Sequence, residues 1–257
     1  MSWDKNWMRR SFDRAAKSYD RLAGLQRQIG ERLLGNLPQT VAPGWLLDIG
    51  AGTGWCAHQL SRRYPGRPLM LVDIAEGMLQ RARRRQWGRA AGFVVGDAET
   101  LPLADDCCGL IVSNLALQWC LKPEQAFAEM GRILPPGGVL LFSTFAAGTL
   151  EELRQAWRQV DDYSHVNPFV EPERLIQCLS RAGFSHWRLE RESISLPYAS
   201  VRALLHEIKG IGAHNVTLDR PRHLLGKGAL ESLENAYPGR SDGIRASFVP
   251  VYGVAVK

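Results

Sequence analysis

The apolar positions of this chain change period twice, and the changes divide it into three parts. From Trp7 to Leu34 they recur at helical spacing, with Phe12, Ala16, Tyr19 and Ala23 on one face, so one or two amphipathic helices open the protein. The turn-rich stretch from Pro38 to Gly44 closes this leader. Over residues 44–145, short and nearly continuous apolar runs alternate with helical patterns. The runs fall at 45–50, 68–73, 92–97, 109–114 and 138–145; the helical patterns fall near Trp55–Tyr64, Glu76–Trp87 and 123–134. Uninterrupted apolar strands between helices predict a parallel sheet covered on both faces, with right-handed crossovers.

From residue 146 the pattern loosens. It is mostly helical to Gly183, offers one strand over 187–198, continues as a glycine-broken helical stretch from Ser200 to Pro238, and ends in a strand over 245–257. No connection remains that could make this last strand parallel, so it is expected to run antiparallel to its predecessor. The predicted class is α/β: one domain over 1–257 with a mostly parallel seven-stranded sheet and one antiparallel strand. Residues 1–43 form a helical leader, 44–145 the core, and 146–257 helical lid insertions with the last two strands.

Composition narrows the function without naming it. Hydrophobic residues at 45% and charged residues at 23% are ordinary globular values and exclude long disorder. The N-terminus is charged throughout and no run of 18 apolar residues occurs, so a soluble cytoplasmic protein without a membrane partner is expected. Five cysteines with no C-x-x-C pair predict reduced thiols and no metal site. A net charge of +6 permits an acidic partner. The arginines at 81, 83, 84 and 85 and at 62 and 63 fall within helical patterns and are read as solvated faces.

The first apolar run leads into LLDIGAGTGW (46–55), where Gly50, Gly52 and Gly54 occupy the strand-to-helix turn at which open α/β sheets bind ligands. Gly52 to Ala57 can be aligned with G-x-G-x-x-A, with Asp73 at the spacing of a ribose-binding acid, which keeps a nicotinamide cofactor open. Three acids at the ends of three successive strands favour S-adenosylmethionine instead. Asp48 would organise the loop near the cofactor's ammonium group, Asp73 would accept from ribose hydroxyls, and Asp97 would meet the adenine amine beside the backbone of Ala98. The cofactor set is therefore Asp48, Gly50, Ala51, Gly52, Gly54, Asp73, Ile74, Asp97, Ala98 and Asn114. No lysine follows the glycines as in a phosphate-binding loop.

These motifs resemble the class I S-adenosylmethionine-dependent methyltransferases, which implies a Rossmann-like fold over 44–145 and S-adenosylhomocysteine as product. After the fourth strand, Asn114 is followed by Leu115, Ala116 and Leu117 rather than by the Pro-Pro-aromatic sequence of nucleobase-amine methylases, so nucleic acid is not the expected partner. Leu115, Leu117 and Trp119 suit an apolar wall for a small or acyl substrate, or equally core packing.

A narrower resemblance lies in SFDRAAKSYD (11–20), SNLALQWC (113–120), GTLEELRQAW (148–157), VDDYSHVNPF (160–169) and EIKGIGAHNV (207–216). These segments are similar to the malonyl-acyl-carrier-protein O-methyltransferases of biotin synthesis. The resemblance implies methylation of the free carboxylate of malonyl-acyl carrier protein or malonyl-CoA, giving a methyl ester that fatty-acid elongation enzymes can carry toward pimeloyl. A carboxylic acid with a pKa of about 4 is already ionised near neutrality, so no general base is required. Tyr19, Lys122, Arg154, His165 and Asn167 are the candidate groups that orient the carboxylate. Lys209, Arg220, Arg222 and Lys227 could steer an acidic carrier. A small-molecule C- or O-methyltransferase, such as one acting on a quinone precursor, shares the cofactor half and remains the enzyme alternative. A nucleic-acid module using the +6 charge is the non-enzyme one. The oligomeric state is left open, with a monomer preferred.

Overall fold

The five apolar runs of the middle segment become β1 Trp45–Ile49, β2 Leu69–Asp73, β3 Ala91–Val95, β4 Cys108–Asn114 and β5 Val139–Phe145. In the computed structural model, which describes residues 4–85, 87, 91–213, 215, 226–239 and 243–257, they pair in parallel in the order β3-β2-β1-β4-β5. Successive strand residues face opposite ways. Leu46 and Leu47 are both fully buried, the first with Leu71, Leu110 and Leu141, the second with Ile111, Leu140 and Phe142. Two apolar layers on one sheet explain why these strands read as continuous apolar runs.

The crossovers are α4 Trp55–Arg63, α5 Glu76–Ala82 and α6 Pro123–Ile133. The second stops short of the expected Trp87, whose indole Nε1 instead donates to the Ala82 carbonyl at 3.0 Å and satisfies the helix end.

Two strand expectations are corrected after residue 146. The run over 187–198 is two strands, β6 His186–Arg191 and β7 Ile194–Tyr198, and the final run is also two, β8 Ile244–Phe248 and β9 Pro250–Val256. The segment thus holds four strands instead of two. β9 inserts between β5 and β6, antiparallel to both, which completes the seven-stranded sheet with one reversed strand. β7 and β8 pair antiparallel in a separate two-stranded sheet. Pro250 has no N–H to extend a ladder. The adjacent Val249 N–H turns to Thr149 Oγ1 at 2.9 Å, which marks the change of sheet.

The leader is three helices, α1 Lys5–Ala15, α2 Tyr19–Leu22 and α3 Gly24–Leu34. Asp4 caps α1 by accepting from the Trp7 N–H at 2.9 Å, and Asp13 accepts from the Gly77 N–H at 2.7 Å at the start of α5. The lid comprises α7 Glu151–Trp157, α8 Pro172–Arg181, α9 Val201–Gly210 and α10 Lys227–Ala236. The end of α9 docks on the leader, where Ser18 Oγ donates to the Gly210 carbonyl at 2.8 Å. A Cβ at Gly210 would overlap Leu22, so the KGIG sequence allows close approach of lid and leader.

Candidate active site

β1 ends beneath a loop that is stitched to β2. The Val72 carbonyl accepts from the N–H groups of Gly50 at 2.8 Å and Ala51 at 3.1 Å, and Asp73 Oδ2 accepts from Gly52 N–H at 2.8 Å. Asp73 Oδ1 accepts from Ala75 N–H at 2.8 Å. Gly52 has φ +54°, and the nearest atom to a Cβ built there is Tyr19 Cε1 at 4.0 Å. The space above Gly52 is therefore left for something other than protein, as a nucleoside cofactor approaching the backbone requires.

That space belongs to a cleft of about 710 Å³ lined by Gly50, Gly52, Asp73, Ile74, Asp97, Ala98 and Asn114 of the predicted cofactor set. Ala51 lines an adjoining cleft of about 410 Å³ with Arg27, a cation available to the carboxylate of an amino-acid end.

Two predicted residues do not line either cleft. Asp48 is 1% exposed, and its Oδ2 accepts from Ala57 N–H at 2.9 Å in the first turn of α4, so it organises the loop from below. Gly54 is the N-cap residue of α4, and a Cβ there would press on Trp87 and Ala82.

Burial pushes the Asp48 carboxyl up to about 7, against the pull of the Ala57 N–H and reinforced by the charge of Asp73. Burial likewise pushes Asp73 up to about 6, with the Ala75 and Gly52 N–H groups opposing it. For Asp48 the folded chain holds the proton more tightly than the unfolded chain, whose carboxyl keeps its ordinary value of 3.8. Stability from this group therefore falls as pH rises from about 4 to about 7. Asp48→Asn keeps an acceptor for Ala57 and is expected to gain on the wild type as pH rises through that window, by at most roughly 1.4 kcal/mol per unit. Urea midpoints of both proteins at about pH 5 and pH 8 test this; a difference that does not change with pH would refute it.

The Asp97 end of the cleft is closed by the leader. Lys5 Nζ lies 2.6 Å from Asp97 Oδ2 and 2.9 Å from Glu99 Oε2. Burial pulls the lysine's pKa down, but the two carboxylates outweigh it and the net shift is upward. Arg85, read from sequence as a solvated helix residue, donates through Nε to the Thr53 carbonyl at 2.7 Å and reaches Asp20 at 3.4 Å. Thr53 Oγ1 also donates to Asp20 at 2.5 Å, so leader and glycine loop are tied together.

A second cavity of about 1360 Å³ shares Phe12, Tyr19, Leu115 and Trp119 with the first. Leu115 sits at the junction with φ +52°, a costly conformation for a residue with a branched side chain. Ser143 holds it there, its carbonyl and Oγ accepting from Leu115 N–H at 3.0 and 3.1 Å. Ser143 Oγ in turn donates to Asn114 Oδ1 at 2.7 Å, and Asn114 Nδ2 donates to the Gln26 carbonyl at 2.9 Å. Of the expected apolar wall, Leu115 and Trp119 line the cavities, whereas Leu117 is buried in the core.

Three of the five predicted carboxylate-orienting residues line the second cavity: Tyr19, His165 and Asn167. Burial and the charge of Asp73 raise the Tyr19 pKa, so its hydroxyl keeps its proton and is a donor. His165 is stacked on Trp157 with ring centroids 3.5 Å apart, and its Nε2 lies 2.8 Å from Asp161 Oδ1.

The other two do not line this cavity. Arg154 stands behind the wall, paired with Glu151 at 3.2 Å and donating to the Asn167 carbonyl at 3.3 Å. Lys122 occupies the N-cap position of α6 away from the cavity, its N–H directed to Glu99 Oε1 at 3.2 Å. Sequence reasoning missed Gln26 and Gln118, which line the cavity; Lys209, expected among the surface cations, is exposed and lines the cavity too. Arg220 and Arg222 lie outside the described residues, and Lys227 begins α10.

Among the described residues no Asp or Glu lines the second cavity. No cluster of three potential metal ligands occurs among them, and no described helix is long and apolar enough to cross a membrane.

Comparison with known proteins agrees with this geometry. Residues 47–142 match a family described as a methyltransferase domain. Over 250 residues the chain is 46% identical to the malonyl-[acyl-carrier protein] O-methyltransferase of Methylococcus capsulatus, covering 95% of this chain and 91% of the relative. Over 274 residues it is 42% identical to the protein of the same description from Nitrosospira multiformis, covering 99% and 89%. Among solved structures, phosphoethanolamine N-methyltransferase 2 of Haemonchus contortus, in complex with S-adenosyl-L-methionine, gives a TM-score of 0.61 at 20% identity, covering 95% of this chain and 57% of that one. At that identity the likeness concerns the fold.

Proposed function

Because this chain belongs to the malonyl-[acyl-carrier protein] O-methyltransferase family, we infer that it methylates the free carboxylate of malonyl-acyl carrier protein, using S-adenosylmethionine and releasing S-adenosylhomocysteine. The methyl ester hides a charge, so the product can prime synthesis of the pimeloyl precursor of biotin.

The observation that carries the reading is the character of the second cavity, which meets the cofactor cleft at Tyr19 and Leu115 and has no Asp or Glu among its described lining residues. An ionised carboxylate needs no general base and would be repelled by an Asp or Glu at that junction.

Gly50, Gly52, Asp73 and Asp97 would hold the cofactor, with Lys5 closing over the adenine end. Bound there, S-adenosylmethionine supplies a methyl group on positively charged sulfur, which a carboxylate oxygen takes by in-line displacement. The chain's own part is alignment. Leu115 and Trp119 wall the junction and exclude water, and the Tyr19 hydroxyl orients the acceptor. A neutral donor suits this task, because the carboxylate loses charge in the transition state and a tight cation there would favour the ground state. The reading includes an acidic carrier as partner, a cytoplasmic and monomeric enzyme, and neither nucleic acid nor membrane.

The test is mass spectrometry of malonyl-acyl carrier protein incubated with the enzyme and S-adenosylmethionine, beside acetyl carrier. A gain of one methyl on the malonyl form alone is the expected outcome. No gain, with cofactor binding intact, would turn attention to quinone-like acceptors.

A further inference from the structure

Lys209 is the one Lys or Arg among the described residues lining the second cavity, and it lines that cavity without reaching the cofactor cleft. It is exposed, which puts it at the mouth rather than at the junction. The backbone that presents it is fixed. Its carbonyl accepts from Gly212 N–H at 3.0 Å, the next residue's carbonyl receives Ser18 Oγ at 2.8 Å, and the Ala213 N–H closes on the Ile208 carbonyl at 3.1 Å. Among the described residues Lys209 has no carboxylate partner. A cation on a fixed backbone, with no carboxylate among the described residues paired with it or lining the cavity, is suited to an anion on the ligand.

A malonyl thioester on an acyl carrier bears two such anions. One is the carboxylate that accepts the methyl group. The other is the phosphodiester at the far end of the thioester arm, where the arm joins the carrier. The accepting carboxylate must lie at the junction beside Tyr19 and Leu115, and a lysine on it would oppose the loss of charge during transfer. A cation on the phosphodiester stabilises substrate and transition state alike. Such an interaction lowers KM and leaves kcat unchanged.

We propose that Lys209 holds the phosphodiester of the carrier's thioester arm as it enters the second cavity, and so distinguishes carrier-bound malonyl from small malonyl thioesters. This rests on the malonyl-methylating reading above. The mouth position also follows from packing, because α9 is placed by the leader: a Cβ at Gly210 would overlap Leu22, and Gly212 at φ +80° abuts Ala15 and Phe12.

The experiment compares wild type, Lys209→Ala and Lys209→Arg on two substrates at one ionic strength: malonyl-acyl carrier protein, and malonyl-N-acetylcysteamine, which has the thioester and carboxylate but no phosphate. Affinity for S-adenosylmethionine is measured beside them to show that each variant is folded. Lys209→Ala is expected to raise KM for the carrier substrate at least tenfold, with kcat within twofold and the short thioester unaffected, and Lys209→Arg to restore most of the loss. Equal losses on both substrates would place Lys209 on the accepting carboxylate and overturn the proposal, as would no loss on either. Wild-type enzyme that methylates neither substrate would overturn the functional reading itself, and this inference with it.

Discussion

Asp73→Ala is expected to weaken S-adenosylmethionine binding about a hundredfold. Its two oxygens receive Gly52 N–H at 2.8 Å and Ala75 N–H at 2.8 Å, so the carboxylate fixes the glycine loop on one side and the start of α5 on the other. It also lines the cleft, where its remaining lone pairs are available to ribose hydroxyls. A hydrogen bond to a charged group contributes about 1.5–3 kcal/mol, and each 1.4 kcal/mol is a factor of ten in affinity. Removing the carboxylate releases the loop and deletes the acceptor together, which amounts to about two such factors. Asp73→Asn retains one acceptor oxygen but turns an amide N–H₂ toward one backbone N–H, and is expected to fall between Ala and wild type. Calorimetric titration with S-adenosylmethionine and S-adenosylhomocysteine at about pH 8 suits the comparison, because the Asp73 carboxyl, pushed up to about 6 by burial, is then ionised. An alanine variant that binds within threefold of wild type would remove Asp73 from the cofactor site.

The acids at the strand ends could be placed from sequence because a strand end is a local property. Asp73 closes an apolar run, and a residue there lies at the carboxyl edge of the sheet whatever the rest of the chain does. The strands themselves were legible for a related reason. Neighbours such as Leu46 and Leu47 enter opposite core layers, so a doubly covered strand shows as an unbroken apolar run.

The break between β6 and β7 left no such trace, since residues 192 and 193 include neither Gly nor Pro. What bends the chain there is tertiary: Glu192 N–H donates to the Pro250 carbonyl at 3.0 Å, and Tyr252 donates to its carboxylate at 3.0 Å. Pro250 itself was a readable signal, because a proline in a central strand is confined to the strand's first residue, which is where Pro250 stands in β9.

Lys5 and Lys209 belong to the site through contacts that no local pattern encodes. α1 is laid over the cleft by Asp13 and Gly77, 64 residues apart, and α9 is set against the leader by Ser18 and Gly210, 192 apart. A charged residue on an amphipathic helix looks the same in sequence whether it faces solvent or a ligand, and only the docking of the helix decides. The same holds for Arg154, whose place in a segment that does enter the cavity made it a plausible ligand. One helical turn directs it instead to Glu151 and the Asn167 carbonyl.

Gly50→Ala and Gly52→Ala are expected to fail for opposite reasons, although the two positions are alike in sequence and both have positive φ, +68° and +54°. A Cβ on Gly50 would overlap that of Ala116, where the loops after β1 and β4 touch beneath the cleft. The left-handed backbone costs an alanine about 1–2 kcal/mol, and overpacking adds about 1–3 kcal/mol, so Gly50→Ala should lose several kcal/mol of stability and its activity with it. At Gly52 the nearest atom to the added methyl is Tyr19 Cε1 at 4.0 Å, an ordinary contact. Only the backbone cost remains there, and the folded chain should survive. The methyl group, however, stands in the space over the loop where the cofactor must approach the backbone, and affinity for S-adenosylmethionine should fall at least a hundredfold. Thermal unfolding and cofactor titration of the two variants separate these outcomes: one is unstable, the other stable and empty. Wild-type affinity in Gly52→Ala would mean that the ligand keeps its distance from the loop, and the open space above Gly52 would need another explanation. Equal stability of the two variants would mean that the loop yields at Gly50 without cost, and the contact with Ala116 would not be what holds the two strand ends together.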